Sequence, residues 1–136
     1  MATDAPLIEK RNNMLPAIAL LAAIAAWAVP GLGHLLLRRW GRALFLFLAV
    51  GGLAVVGYGM RGEMFNTRSS DPFGALGFLA DACSGVFYFL GRQLESSGPD
   101  ISRAAGDCGT RFLAGAGVVN LLGVLDAYRI ASGRKR

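Results

Sequence analysis

A chain of 136 residues has the length of a single domain. Hydrophobic residues make up 54% and charged residues 17%, below the roughly 25% of soluble domains, which excludes an ordinary water-soluble enzyme. The net charge of +5 needs no nucleic acid to explain it, because membrane proteins collect Lys and Arg in the flanks of their spans.

The apolar residues fall in four blocks, 14–29, 43–60, 73–90 and 112–125, with Lys and Arg almost wholly outside them. Crossing the hydrocarbon takes about 20 apolar residues. The second and third blocks meet that length alone. The first does so if it continues through Leu37, and the fourth with help from 108–110 and 127–130. The expectation is an all-α integral membrane bundle of about four transmembrane helices, near 14–37, 43–60, 73–90 and 110–130. These form one multi-pass domain over 14–131, after a polar segment 1–13 and before a basic tail 132–136.

Lys10 and Arg11 ahead of the first block imitate a secretory signal, with small-residue cleavage sites at 23–25 and 26–28. The apolar character continues into 35–37, so the segment reads as an uncleaved first helix. Pro30 removes a backbone donor and disfavours helical geometry at Val29, while Gly31 and Gly33 permit a turn. The first helix is therefore expected to kink or break at Pro30-Gly31. From 14 to 29 it rises about 24 Å, so 32–37 is expected to supply the missing depth as a bent continuation. Arg38, Arg39 and Arg42 then snorkel to lipid phosphates with Trp40 at the interface. They read as a dock for anionic lipid or a partner, or as a general anchor.

The only histidine, His34, lies in this elbow. Alone it lacks the companions of a metal site, although one axial histidine suffices for haem or a related pigment. The plainer reading is a hydrogen bond that pins the elbow, to a carbonyl beside Pro30. No cofactor or metal is predicted.

The second block carries no charge, and Gly51, Gly52, Gly57 and Gly59 give it close-packing surfaces. Gly57, Gly59 and Gly62 match a loose dinucleotide spelling but follow a membrane helix rather than a strand, so no phosphate loop is read there. A polar loop 61–71 leads to Asp71-Pro72, a helix start. Gly74, Gly77, Asp81, Ser84, Gly85 and Tyr88 then line one helical face. A carboxylate at the bilayer centre costs about 2.5–3.5 kcal/mol on insertion scales, so Asp81 should face protein. It is either an ion or proton site, or a packing carboxyl bonded to Asn120, Tyr88, Ser84 or an arginine.

After a polar connection 91–109, with a turn at 98–100 and an interfacial piece at 101–105, the fourth helix carries Asn120. Its amide is expected to bond across a helix interface. Asp126, Tyr128 and Arg129 mark the helix's emergence, and Asp126 is grouped with Asp81, Ser84, Tyr88 and Asn120 as intramembrane polar packing. Of the two cysteines, Cys83 reads as a small buried apolar residue, and neither joins a CxxC or Cys/His cluster. No serine or cysteine has a base beside it, and the chain is not expected to be an enzyme.

Four spans place Lys10, Arg11, Arg61, Arg68, Arg129 and the tail Arg134-Lys135-Arg136 on one side, eight basic residues against six. That puts both termini in the cytoplasm but exports the Arg38–Arg42 cluster. A re-entrant third block would instead put that cluster and the tail together.

The elbow resembles the two-transmembrane (TM-two) domain families, which join two helices through a Gly-x-Gly-x-His-type turn and a Gly/Arg-rich hairpin. The matching residues are Pro30, Gly31, Gly33, His34, Leu37, Arg39, Gly41 and Arg42, with 125–130 similar to the acidic end of that pattern. Leu35-Leu36 replaces its aromatic pair, and Arg38 stands where glycine is usual. An extra helix, 73–90, precedes the acidic end. More closely, Val29-Pro30-Gly31-Leu32-Gly33-His34, the charged hairpin, Asp71-Pro72-Phe73, Ala80-Asp81-Ala82 and Leu125-Asp126-Ala127-Tyr128 together resemble, over residues 26–133, a bacterial family of small membrane proteins of unknown function. The resemblance implies a bacterial inner-membrane protein and a structurally important elbow, with no catalytic residue. The expected function is an accessory or scaffolding subunit packed against a larger membrane complex or itself. The alternative is a small oligomeric transporter or channel built around Asp81.

Overall fold

The computed structural model describes residues 5–62, 72–94 and 104–133, and the described residues form helices and turns with no strand. The helices are α1 (Ala5–Ala28), α2 (Leu32–Leu36), α3 (Trp40–Gly59), α4 (Pro72–Ala82), α5 (Val86–Leu94) and α6 (Ala104–Ala131). The expected cap at Asp71, the turn at 98–100, most of the loop 61–71 and the tail Arg134-Lys135-Arg136 lie outside the described residues.

Among the described residues two helices are long and apolar enough to cross a membrane: α3, of 20 residues, and the 26-residue stretch Gly106–Ala131 of α6. At 1.5 Å per residue they measure about 30 and 39 Å. They pack antiparallel as the centre of the molecule. Arg42 meets Asp126 at one end, Leu46 covers Gly123, Gly57 abuts Leu113, and Gly62 lies against Gly109 at the other end. Val50, halfway along α3, is fully buried.

α1 is already helical at Ala5 and runs through Pro16, so most of the 1–13 segment joins the helix rather than preceding it. Its small face, Ala19, Ala22 and Ala26, is buried. Ala19 and Ala22 cluster with Ala131 at the C-terminal end of α6, while Trp27 reaches back to Asn120, so α1 runs antiparallel to α6. The helix stops at Ala28 because Pro30 has no N–H to continue it. Gly31 then takes φ 86°, a left-handed value, and a side chain there would strike the Ala43 carbonyl.

At this turn the structure corrects the expected continuation. α2 does not extend α1 but folds back over it. Gly33 lies so near the Ala22 carbonyl and the Ala26 side chain that a β-carbon on it would strike both. The apolar helix is therefore Met14–Ala28, shorter than a span.

The third block is also broken. α4 and α5, separated by Cys83, Ser84 and Gly85, are bent by 109°. Gly85 has φ 64°, and a β-carbon there would strike the Trp27 carbonyl. With 11 and 9 residues the two pieces measure about 17 and 14 Å, too short to cross singly. The expected four spans thus reduce to two, or three if the bent pair counts as one. α3 ends and α6 begins at the same end of the central pair, where Gly62 lies against Gly109.

Candidate functional site

Two polar clusters sit in this apolar frame. The first lies at the end of the α3–α6 pair nearest the elbow. α2 carries His34, completely buried, to 3.2 Å from Asp126, its Nε2 facing Oδ2. Arg42, in the first turn of α3, donates from Nη1 to the same oxygen at 2.7 Å. The histidine and arginine side chains are 0% and 46% exposed and the carboxylate 26%, so the trio grades from protein interior to surface. A neutral imidazole donating from Nε2 leaves Nδ1 as an acceptor, and Nδ1 has no partner among the described residues.

The elbow is tied to Asp126, 92 positions away, and not to a carbonyl beside Pro30. An open groove of about 340 Å³ runs from this trio along α3 and α6, walled by Phe45, Leu46, Val119 and Leu122 over Gly123.

The second cluster is the meeting point of the two chain breaks. The ends of α1 and α4 leave backbone carbonyls without helical partners. Asn120, buried near the middle of α6, answers both: its amide donates to the Cys83 carbonyl at 2.7 Å and to the Trp27 carbonyl at 3.3 Å. The Trp27 indole donates to the Ala82 carbonyl at 3.2 Å. The Ser84 hydroxyl donates to the Asp81 backbone carbonyl at 2.6 Å, and the Asp81 side chain is fully buried. α4 comes this close because Gly117 of α6 leaves room for the Ala80 carbonyl.

The structure redistributes the residues singled out from the sequence. His34, Arg42 and Asp126, read separately as elbow, dock and packing groups, form one cluster. Arg38 and Trp40 are exposed, Trp40 at 70%, and Arg39 is half-buried. Asp81, Ser84 and Asn120 stay together, but the break at Gly85 takes Tyr88 onto α5. There its ring lies 5.6 Å from the Arg92 guanidinium carbon and edge-on to Phe78 and Phe89. Cys83 is half-buried rather than buried, and both thiols are free. Trp27 was missed, the signal available being an aromatic N–H beside a helix breaker, and Gly85, expected on a packing face, is instead a corner. Among the described residues no three His, Cys, Asp or Glu side chains gather in a way that would hold a metal ion.

Two long apolar helices, with shorter apolar pieces folded around them, define the class: a small, all-helical membrane protein. The chain belongs to a family of unknown function, DUF6677, whose model matches residues 21–136 and so takes in both clusters. Comparison with curated proteins and with solved structures returned no match.

Proposed function

We propose that this protein is a non-enzymatic accessory or scaffolding subunit of a bacterial cytoplasmic membrane, packed against a larger membrane complex or a second copy. The observation that supports this best is the outward face of α3. Phe45, Leu48, Gly52, Val55 and Gly59 follow one another at helical spacing, all exposed, and a β-carbon at Gly52 or Gly59 would meet nothing. In lipid, where helices associate through close packing, such a face suits another helix. Gentle affinity purification from native membranes should recover a stoichiometric partner or a homo-oligomer. A monodisperse monomer without a partner would overturn the reading.

Topology belongs to the same proposal. With α3 and α6 as the complete spans, α1–α2 folds in from one side and α4–α5 from the other. Lys10, Arg11, Arg38, Arg39, Arg42, Arg129 and the tail Arg134-Lys135-Arg136 then share a side, nine basic residues against five. The awkward export of the arginine cluster disappears, and both termini face the cytoplasm. The TM-two likeness fits this elbow: Arg38, where that pattern carries glycine, has φ 57°.

A second reading, a small oligomeric transporter or channel, draws on one observation. Two helix breaks meet at Asn120 next to the buried Asp81, and discontinuous helices with exposed carbonyl ends are where transporters hold ions. A selective flux in liposomes, lost in Asp81→Asn, would favour it, and absence of flux would dismiss it.

A further inference from the structure

We propose that the groove between α3 and α6 seats one phospholipid with a primary-ammonium headgroup, of the phosphatidylethanolamine class. The inference goes beyond the subunit role, and its groove shares only Phe45 with the α3 face offered to a partner. Its first support is the gradient along the groove. Arg42 and Asp126 stand at its mouth, near the ends of the two long helices, where headgroups lie. Val119 and Leu122 lie one to two turns deeper on α6, with Phe45 and Leu46 facing them from α3, a wall for an acyl chain.

The second support is the charge pattern. A purely anionic headgroup would meet the Asp126 carboxylate beside Arg42, 2.7 Å from its guanidinium. A zwitterionic headgroup matches both charges. The guanidinium has five N–H donors; while one contacts Asp126, others can bond the phosphate oxygens. The ammonium is placed to donate to the Asp126 carboxylate.

The third support is the Asp126 carboxylate itself, 26% exposed and held from beneath by the buried His34 Nε2 at 3.2 Å. That carboxylate is accessible from the groove, and a primary ammonium has N–H groups to give it. A quaternary choline has none. The lipid is therefore distinguished by its N–H donors as well as by its charge.

The test is to reconstitute the full chain with phosphatidylethanolamine, phosphatidylcholine and phosphatidylglycerol of identical acyl chains, then count retained lipid by native mass spectrometry. Phosphatidylethanolamine should be retained over both others. Arg42→Gln and Asp126→Asn should each weaken retention about tenfold or more, the loss of one charge-assisted hydrogen bond. Because either change could also loosen the bundle, Leu122→Trp serves as the second variant. Leu122 is 61% exposed, so the indole fills the groove without entering the core, and lipid should be lost while the thermal unfolding curve stays unchanged. Equal retention of the choline lipid, preference for the glycerol lipid, or retention unaffected by Leu122→Trp would each overturn the proposal.

Discussion

Gly85 and Asn120 show what single residues decide here. At Gly85 the backbone is left-handed and the Trp27 carbonyl occupies the place of a side chain. Gly85→Ala should destabilise the protein by more than the ~1–3 kcal/mol of backbone strain alone, read as a lower unfolding temperature in detergent. Gly52→Ala, into open space, should be neutral or slightly stabilising. Asn120→Leu removes both donors to the broken helices and strands two carbonyls, which should cost ~1–3 kcal/mol. Asn120→Asp should not rescue it, because a carboxylate cannot donate. That Asn120 would bond across an interface was legible from an amide in an apolar run. Its partners were not, since a backbone carbonyl leaves no mark on the sequence.

At the scale of the helices, legibility followed charge. α3 was expected at 43–60 and found at Trp40–Gly59, because a run without charge bounded by arginines has one interpretation. The third block was read as continuous because glycines spaced by three and four look like a packing face. Only the contact between Gly85 and the Trp27 carbonyl shows that one of them is a corner. The same spacing argument gives a prediction for the outward face of α3. Gly52→Leu and Gly59→Leu should leave the unfolding temperature within about 1 °C while abolishing co-purification of the partner or second copy, since each fills only external space. Retained association in both variants would place the interface elsewhere.

For the whole molecule the discriminating quantity is which ends lie together. Two complete spans put residue 39 on the side of the termini and residue 111 on the other, whereas four spans put both opposite the termini. After Cys83 and Cys108 are replaced by alanine, a cysteine at Arg39 should react with an impermeant reagent only once spheroplasts are opened. A cysteine at Arg111 should react in intact ones. Labelling of the Arg39 position from outside would restore the four-span arrangement. The side of the basic residues follows from this count without any change in the residues themselves.

The amino-acid sequence by itself determined the membrane class, the all-helical content, the break at Pro30 and the importance of Asn120. Each of these follows from hydropathy or from chemistry local to a few residues. Tertiary structure alone decided that α2 folds back, that the third block turns at Gly85, and that His34, Arg42 and Asp126 form one site. Those outcomes rest on contacts such as Trp27 with Ala82, 55 positions apart, and His34 with Asp126, 92 apart. Hydropathy sums residues one at a time, whereas a re-entrant turn exists only when a distant part of the chain supplies the hydrogen bonds its broken backbone has lost.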